Sequence, residues 1–409
     1  MKILIINQPP FNRGDESAHK GLVRSLLDNI PDIQIRVMSP ADVVESVRQY
    51  AVHDKRVHYI TEPNGFFNFK RFVWHGMHRD RTWLWYFHPT FYRYKQIYKW
   101  ADVVVCAPGG ICMGGFQDWH HLFNLKLAKY FHRPLAYYGR SFGPFPTETE
   151  SNRQFKKVSL EMLHYFSFLS IRDHKTELLA EELGIPYVST VDSAFLDSPD
   201  VEIPYEIEKS IGEKPYMVFV PNYLLWHYAY KDRISHETIL DFYCKVADEM
   251  LTSHPECNLV MLPQVFCKDK YASCDVMFFR DLAKHKNDPR IIVISDCYSS
   301  DIQQAIIHNA QLVIGSRYHS IVFAINQNTP FIALSYEHKI AGLLQTLEKE
   351  DCCIDFENVL DSEEKQKECL AEIRRMIPKM KKDDKSCIKA KTIALECMMK
   401  FKTQIMGLK

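Results

Sequence analysis

The chain contains 409 residues with a mass of 48.0 kDa, which is enough for two domains of ordinary size. Its 51 basic and 51 acidic residues balance, and this balance argues against a dedicated nucleic-acid-binding protein. Hydrophobic residues at 46% and charged residues at 25% are globular proportions, so they argue against disorder as the main state.

The start of the chain and its most apolar stretch predict a cytoplasmic protein. Residues 3–6 form an apolar run that is too short for a signal peptide and is typical of a first strand. Residues 216–230 are interrupted by Pro221, Asn222 and His227, so they do not predict a transmembrane helix. The cysteines include no C-x-x-C spacing, which favours buried thiols over a disulfide framework or a zinc site.

Residues 1–198 predict a first Rossmann-like domain, because strand and helix patterns alternate through them. The predicted strands are residues 2–6, 103–107, 135–138 and 166–171, and the predicted helices are residues 17–30, 122–130 and 176–183. Buried strands without alternating polarity indicate a largely parallel sheet. Residues 62–100 interrupt the pattern with an aromatic-rich insertion.

Residues 199–409 predict a second Rossmann-like domain, which begins in a proline-containing linker. Its predicted strands are residues 216–220, 258–262 and 291–295, its predicted helices are residues 237–251, 276–284 and 301–308, and a helical tail starts at residue 362. We therefore expect an α/β fold with two Rossmann-like domains facing a cleft, which is the glycosyltransferase-B arrangement.

Residues 311–339 carry the most informative pattern, which reads as strand, turn, helix, strand and turn. The residues of interest are Arg317 and His319 in the first turn and Lys339 after the second strand, and Ser316 could cap the intervening helix. If the two strands are parallel, all three basic side chains lie at the carboxyl ends, where open α/β sheets bind ligands. Two cations and an imidazole beside a helix N-terminus predict a site for a small, multiply charged anion.

Turn residues in the first domain supply further candidates for the cleft and the acceptor. Gly14 permits a tight turn after the first strand, and Asp15 or Ser17 could cap the next helix. The other candidates are Asn12, the pair Gly109 and Gly110, Arg140 and Arg172. Capping alone explains Asp15 equally well, and a surface ion pair with Asp173 is the alternative for Arg172.

The insertion at residues 62–100 leaves three interpretations open. Its aromatic residues include Trp83 and Trp85 and are interspersed with Lys and Arg. They could form the core of a helical excursion, a surface on which an acceptor sugar stacks, or a peripheral contact with the inner face of the membrane.

Six segments together resemble the polysaccharide pyruvyl transferase family. They are residues 12–15 (NRGD), 109–110 (GG), 170–173 (SIRD), 192–195 (DSAF), 315–320 (GSRYHS) and 335–339 (SYEHK). The resemblance implies phosphoenolpyruvate as the donor and a glycosyltransferase-B-like fold. It matches Arg172, His319 and Lys339 to the donor-binding and catalytic positions, and Glu337 departs from the aspartate that is usual in the family.

The resemblance implies a transferase that places the pyruvyl group on two hydroxyls of a sugar in a cell-surface polysaccharide precursor as a cyclic ketal. His319 would be the general acid, and Arg172, Arg317 and Lys339 would bind phosphoenolpyruvate, with no metal and no other cofactor required. The acceptor sugar could be lipid-linked. The alternatives are a nucleotide-sugar glycosyltransferase of the same architecture and a non-catalytic glycan-binding or assembly protein.

Overall fold

A computed structural model describes residues 1–9, 12–42, 44–49, 51–65, 68–77, 88–110, 112–227, 229–266 and 274–408. The chain divides into two compact units. Unit one contains Met1–Pro10, Ala18–Asp197 and Thr392–Lys409, and unit two contains Phe11–Ser17 and Ser198–Lys391.

The described part of unit one is built on a parallel sheet of seven strands. The strands are β1 (Lys2–Ile6), β2 (Gln34–Ser39), β3 (Val57–Thr61), β4 (Val103–Cys106), β5 (Leu135–Tyr137), β6 (Phe168–Ile171) and β7 (Val188–Ser189). Their order across the sheet is β3-β2-β1-β4-β5-β6-β7, and every pairing is parallel. The predicted parallel sheet is therefore confirmed for this unit.

Helices connect these strands. They are α1 (Arg13–Asn29), α2 (Val44–Gln49), α3 (Phe69–Arg71), α4 (Pro89–Trp100), α5 (Trp119–Tyr130), α6 (Glu150–Leu163) and α7 (His174–Glu182). Helix α7 shows how local sequence sets the bounds. The Asp173 carboxylate caps its start by accepting from the backbone N–H of Thr176 at 2.9 Å, and Gly184, with φ +65°, follows its end.

Unit two has a parallel sheet of six strands in its described residues. They are β8 (Tyr216–Val220), β9 (Asn258–Met261), β10 (Ile291–Val293), β11 (Val313–Gly315), β12 (Phe331–Ser335) and β13 (Cys353–Asp355), in the order β10-β9-β8-β11-β12-β13. The remaining helices are α8 (Tyr205–Ile211), α9 (His236–Ser253), α10 (Asp275–Lys286), α11 (Ser300–His308), α12 (Tyr318–Asn326), α13 (His338–Thr346), α14 (Glu363–Met376) and α15 (Asp384–Met406).

The last helix departs from the predicted division of the chain, which placed the whole tail in the second domain. The second half of α15 belongs to unit one. Cys397, Met398, Phe401 and Ile405 are buried in a core cluster with residues of β1 and β2. The tail returns to the first sheet because one face of that sheet offers apolar surface that these side chains cover.

The described part of the aromatic insertion packs as core. Phe72, Phe91, Tyr94 and Tyr98 are buried in a single cluster with residues of β4 and α5. The core interpretation therefore accounts for these side chains. Trp83 and Trp85, which the membrane and acceptor interpretations also used, lie outside the described residues.

Candidate active site

The two basic turns lie next to each other at the carboxyl edge of the unit two sheet. Strands β11 and β12 pair in parallel, with Val313 opposite Phe331 and Gly315 opposite Ala333. The parallel pairing on which the sequence prediction depended is therefore confirmed. Residues 316–319 follow β11 and residues 336–339 follow β12, so both turns leave the sheet on the same side.

His319 lies in the first turn of α12 and is only 6% exposed. Its ring packs edge-on against Tyr318 at a centroid distance of 5.1 Å. The predicted cap is wrong, because Arg317 occupies the N-cap position and the Ser316 hydroxyl is instead hydrogen-bonded to the Tyr243 hydroxyl at 3.1 Å. That bond ties the turn to α9 and helps to fix the start of α12.

Residues 12–17 lie against the strand ends of unit two, although they follow the first strand of unit one. Asn12 forms an antiparallel bridge with Val265, and the backbone N–H of Arg13 donates to the carbonyl of Gln264 at 2.9 Å. The side chain of Asn12 accepts from the N–H of Gly14 at 2.8 Å. Asn12, rather than Asp15 or Ser17, therefore supports the start of α1, and Asp15 is buried in its first turn.

Gly14 is required by a close contact and not by a turn. It lies in the first turn of α1 and does not have a positive φ. A β-carbon added at this position would lie 1.8 Å from Nδ1 and 1.9 Å from Cγ of His319. The imidazole ring thus rests directly on the backbone of α1, which no other residue type would allow.

Replacing Gly14 by alanine is expected to displace the His319 ring and lower turnover by about 10- to 100-fold, since a small misplacement of a reacting group is costly. The free energy of unfolding should fall by about 1–3 kcal/mol, the usual cost of overpacking a buried site. Steady-state kinetics and urea unfolding would measure the two effects. The matched control is Gly115→Ala, where an added β-carbon meets no atom within 4 Å among the described residues. Equal kinetics for Gly14→Ala and the wild type would contradict the contact.

Glu16 and Arg13 fasten the same segment and were not predicted. Nη1 of Arg13 donates to a carboxylate oxygen of Glu16 at 2.6 Å, and both side chains are buried. The other oxygen of Glu16 accepts from the backbone N–H and the hydroxyl of Ser300, at 3.0 and 3.1 Å. Glu16 therefore satisfies the amino end of α11 and, within unit two, fixes the first turn of α1 that contacts His319.

Arg317 is held in an ion pair whose carboxylate is buried. Its guanidinium donates to the carboxylate of Asp275, which is buried at the start of α10. Asp275 also accepts from the backbone N–H groups of Gln264 and Val265, each at 3.0 Å. The Arg317 guanidinium lies 5.9 Å from the ring centroid of Trp226. The sequence prediction treated Arg317 as a cation available to a ligand and missed this carboxylate.

Lys339 also has an acidic neighbour. Its Nζ lies 3.3 Å from the Glu337 carboxylate, which accepts from the Tyr336 hydroxyl at 3.1 Å. Burial alone would raise the pKa of Glu337, but the charge of Lys339 and the Tyr336 bond lower it overall. The pKa of the nearby His227 is lowered, chiefly by burial. Glu337 is therefore ionised, and its negative charge offsets the positive charge of Lys339.

For the phosphoenolpyruvate donor that the resemblance implies, replacing Lys339 by alanine is expected to raise the KM by about 10- to 150-fold, the equivalent of about 1.5–3 kcal/mol for one charge-assisted contact. Part of this loss should come from the Glu337 carboxylate, which then repels the donor without compensation. The double variant Lys339→Ala/Glu337→Gln should therefore recover part of the affinity. An unchanged KM in the single variant would place Lys339 outside the donor site. No recovery in the double variant would show that the charge of Glu337 does not affect donor binding.

Arg172 in unit one is paired in the same manner. Its guanidinium donates to the carboxylate of Asp192 and, at 2.9 Å, to the carbonyl of Gly109. Sequence reasoning considered a surface pair with Asp173, but both residues are buried, and Asp173 caps α7 and accepts from the hydroxyl of Ser141. Arg172 thus joins the end of β6 to the glycine loop after β4.

Arg140 supports the glycine loop after β4 through hydrogen bonds to its backbone. Its side chain is fully buried, and it donates to the carbonyls of Ala107 at 2.7 Å and Gly110 at 3.0 Å. Gly109 adopts φ +153°, a conformation that favours glycine. The guanidinium of Arg140 therefore shapes the backbone of the loop, and the loop rather than the arginine side chain is what unit one presents at these strand ends.

The structure gathers the candidates into two groups. Asn12, Asp15, Arg317, His319 and Lys339 lie in unit two, and Gly109, Gly110, Arg140 and Arg172 lie in unit one. Within the described ranges, no three His, Cys, Asp or Glu side chains form a group that could hold a metal ion. No helix of those ranges combines the length and the apolar character that a membrane span requires.

Comparison with known proteins gives the chain its family. A family model described as polysaccharide pyruvyl transferase matches residues 12–338. The amylovoran biosynthesis protein AmsJ of Erwinia amylovora is 23% identical over 277 residues, which are 64% of this chain. The match spans 63% of the length of that relative.

Solved structures support the fold alone. The UDP-GlcNAc 2-epimerase of Methanocaldococcus jannaschii superimposes with a TM-score of 0.57 at 12% identity, covering 95% of this chain and 97% of that one. The trehalose 6-phosphate synthase of Burkholderia multivorans gives a TM-score of 0.52 at 10% identity, covering 99% and 98%. The predicted glycosyltransferase-B-like α/β fold is thereby confirmed.

Proposed function

The chain belongs to the polysaccharide pyruvyl transferase family, and we propose that it transfers the pyruvyl group of phosphoenolpyruvate to a sugar of a cell-surface polysaccharide precursor. The product would be a cyclic ketal on two hydroxyls of that sugar. The similarity to a protein of amylovoran biosynthesis supports a role in exopolysaccharide synthesis.

One contact carries the proposal for the reaction. Gly14 belongs to the segment 12–15 and His319 to the segment 315–320, and both segments resemble family motifs. They are about three hundred residues apart in the chain, and yet a β-carbon at Gly14 would overlap the His319 ring. Two motifs that meet at one buried imidazole support a shared chemical role for them.

The chemistry that we propose needs one acid at carbon. Protonation of C3 of phosphoenolpyruvate turns C2 into an oxocarbenium-like electrophile, which one sugar hydroxyl attacks. The C2–phosphate bond then breaks, inorganic phosphate leaves, and a second hydroxyl of the same sugar closes the ring, while both hydroxyl protons pass to solvent or phosphate. We assign the protonation of C3 to His319 because an imidazolium is an effective acid at neutral pH.

We assign the binding of the donor carboxylate and phosphate to Arg172, Arg317 and Lys339. Each of these cations already has a carboxylate partner, which is Asp192, Asp275 or Glu337 respectively. Within its own unit, each cation is held by its carboxylate before the donor arrives, so its side chain loses little entropy when charge-assisted bonds to the donor form. We expect no metal and no further cofactor in this reaction.

We place the protein in the cytoplasm with its acceptor, for which we favour a lipid-linked oligosaccharide.

The decisive experiment incubates the purified protein with phosphoenolpyruvate and a panel of free and lipid-linked sugars. We expect phosphate release in step with a product whose mass exceeds that of the acceptor by pyruvate minus water. Consumption of a nucleotide sugar without phosphoenolpyruvate would instead identify a glycosyltransferase. Binding of glycans with no turnover of either donor would identify a non-catalytic protein.

A further inference from the structure

Helix α15 exposes large apolar side chains along most of its length. Ile388 is 62% exposed, Leu395 49%, Met399 47% and Met406 44%. The successive spacings of seven, four and seven residues place all four on one face of the helix. At a rise of about 1.5 Å per residue, this apolar row is about 27 Å long.

The opposite face of α15 packs against unit one, so the apolar row faces away from the core. Cys397, Met398 and Phe401 on that face are buried in the core of unit one. The Gln404 side chain donates to the carbonyl of Ser167 at 3.2 Å. Exposure of the row is therefore a property of the folded helix and not of a loose terminus.

Lysines accompany the apolar row. Lys391 lies three residues after Ile388 and four before Leu395, and Lys402 lies three residues after Met399 and four before Met406. Both are thus on the same face as the row. Lys385 and Lys400 add further positive charge, and Asp384 and Glu396 are the acidic residues at exposed positions of the helix. Asp384 lies four residues before Ile388 and is thus on the same face as the row. The four lysines outnumber the two acids, so the apolar surface has a border that is positive on balance.

An open cavity of about 580 Å³ extends the apolar surface beside Met399. Its lining includes Phe166, Leu169, Tyr187, Val188, Met399 and Lys400. The cavity lies at β7, the edge strand of the unit one sheet. A chain of methylene groups could lie in such a groove while its charged headgroup meets Lys400.

We propose that the exposed face of α15 docks the protein on a membrane surface that contains anionic lipids. An apolar row with lysines on its border suits the boundary between headgroups and acyl chains, where long lysine side chains reach back to phosphate. A second copy of the chain would fit less well, because pairing through this face would bury the Lys402 ammonium and bring two positive borders together. This surface is separate from the residues assigned to pyruvyl transfer, so either proposal can fail alone.

Vesicle binding of the full chain tests the proposal, using phosphatidylcholine alone and phosphatidylcholine mixed with phosphatidylglycerol. The wild type should bind the mixed vesicles, and this binding should weaken as the salt concentration is raised. The double variant Leu395→Glu/Met399→Glu should lower the vesicle partition coefficient by at least about tenfold. The matched control is Leu178→Glu/Tyr205→Glu, which changes side chains that are 51% and 74% exposed on α7 and α8. The control should bind vesicles like the wild type.

A second variant guards against a folding defect. Lys391→Gln/Lys402→Gln removes two charges without adding any to the apolar row, and it should weaken binding to the mixed vesicles about three- to thirtyfold, since each lysine near an anionic surface contributes modestly. The oligomeric state is measured in parallel by sedimentation. Failure of the wild type to bind the mixed vesicles would overturn the proposal. So would equal binding by all variants, or a wild-type dimer that becomes monomeric in Leu395→Glu/Met399→Glu.

Discussion

Replacing His319 by glutamine is expected to lower turnover by about 10²- to 10⁴-fold, which is the usual contribution of a general acid. Glutamine keeps a hydrogen-bond donor of similar size, but it cannot transfer a proton to carbon. The variant should therefore still bind phosphoenolpyruvate, because the cations assigned to the donor remain. His319→Ala should lose turnover to a similar extent and also leave a void above Gly14.

Single-turnover kinetics and donor binding measured on the same samples separate these effects. If His319→Gln retained most of the wild-type rate, the acid would be another residue. If it lost donor binding as well as turnover, His319 would be a binding residue.

Local sequence was sufficient to place the main candidates. Short apolar runs that end in a turn are strongly characteristic of buried parallel strands, so the sequence alone places Arg317, His319 and Lys339 at strand ends. The repeated strand and helix pattern likewise predicted the α/β fold. These inferences succeeded because each depends on a few neighbouring residues and on the period of the buried positions.

The partners of the candidates could not be predicted, since they come from distant parts of the chain. Asp275 reads in the sequence as an ordinary acid in the first turn of a helix, and nothing near it points to Arg317. Asp192 lies in the segment 192–195, which was part of the resemblance without a role, and it proves to pair with Arg172. Tertiary pairing is invisible to a local pattern.

Gly14 shows that the structural reason inferred for a residue from its sequence can be wrong. A glycine after a strand predicts a tight turn, but here the backbone is helical and the requirement is the ring of His319. The predicted domain boundary was wrong for the last part of α15 for a related reason. An amphipathic tail helix can cover any apolar face of suitable width, and its sequence does not say which sheet offers that face.

Removing the buried Asp275 carboxylate is expected to cost up to about 3–5 kcal/mol of the free energy of unfolding, the range for breaking a buried ion pair, since Arg317 keeps only 14% exposure. In Asp275→Ala, the Arg317 guanidinium would lose its counter-charge, and the N–H groups of Gln264 and Val265 would lose their common acceptor. Unsatisfied buried donors add to the cost of the unpaired charge. Urea unfolding of the full chain measures the loss.

The partner variants decide how that cost is divided. Arg317→Met removes the cation and leaves Asp275 with its two backbone donors, so its loss should be smaller than that of Asp275→Ala. Asp275→Asn/Arg317→Met removes both charges together, and it should be more stable than Asp275→Asn alone because no buried charge is left without a partner. If the double variant were less stable than Asp275→Asn by the full cost of Arg317→Met, the two effects would simply add. The ion pair would then contribute no coupling, and Arg317 would be held at the candidate site by its packing beside Trp226.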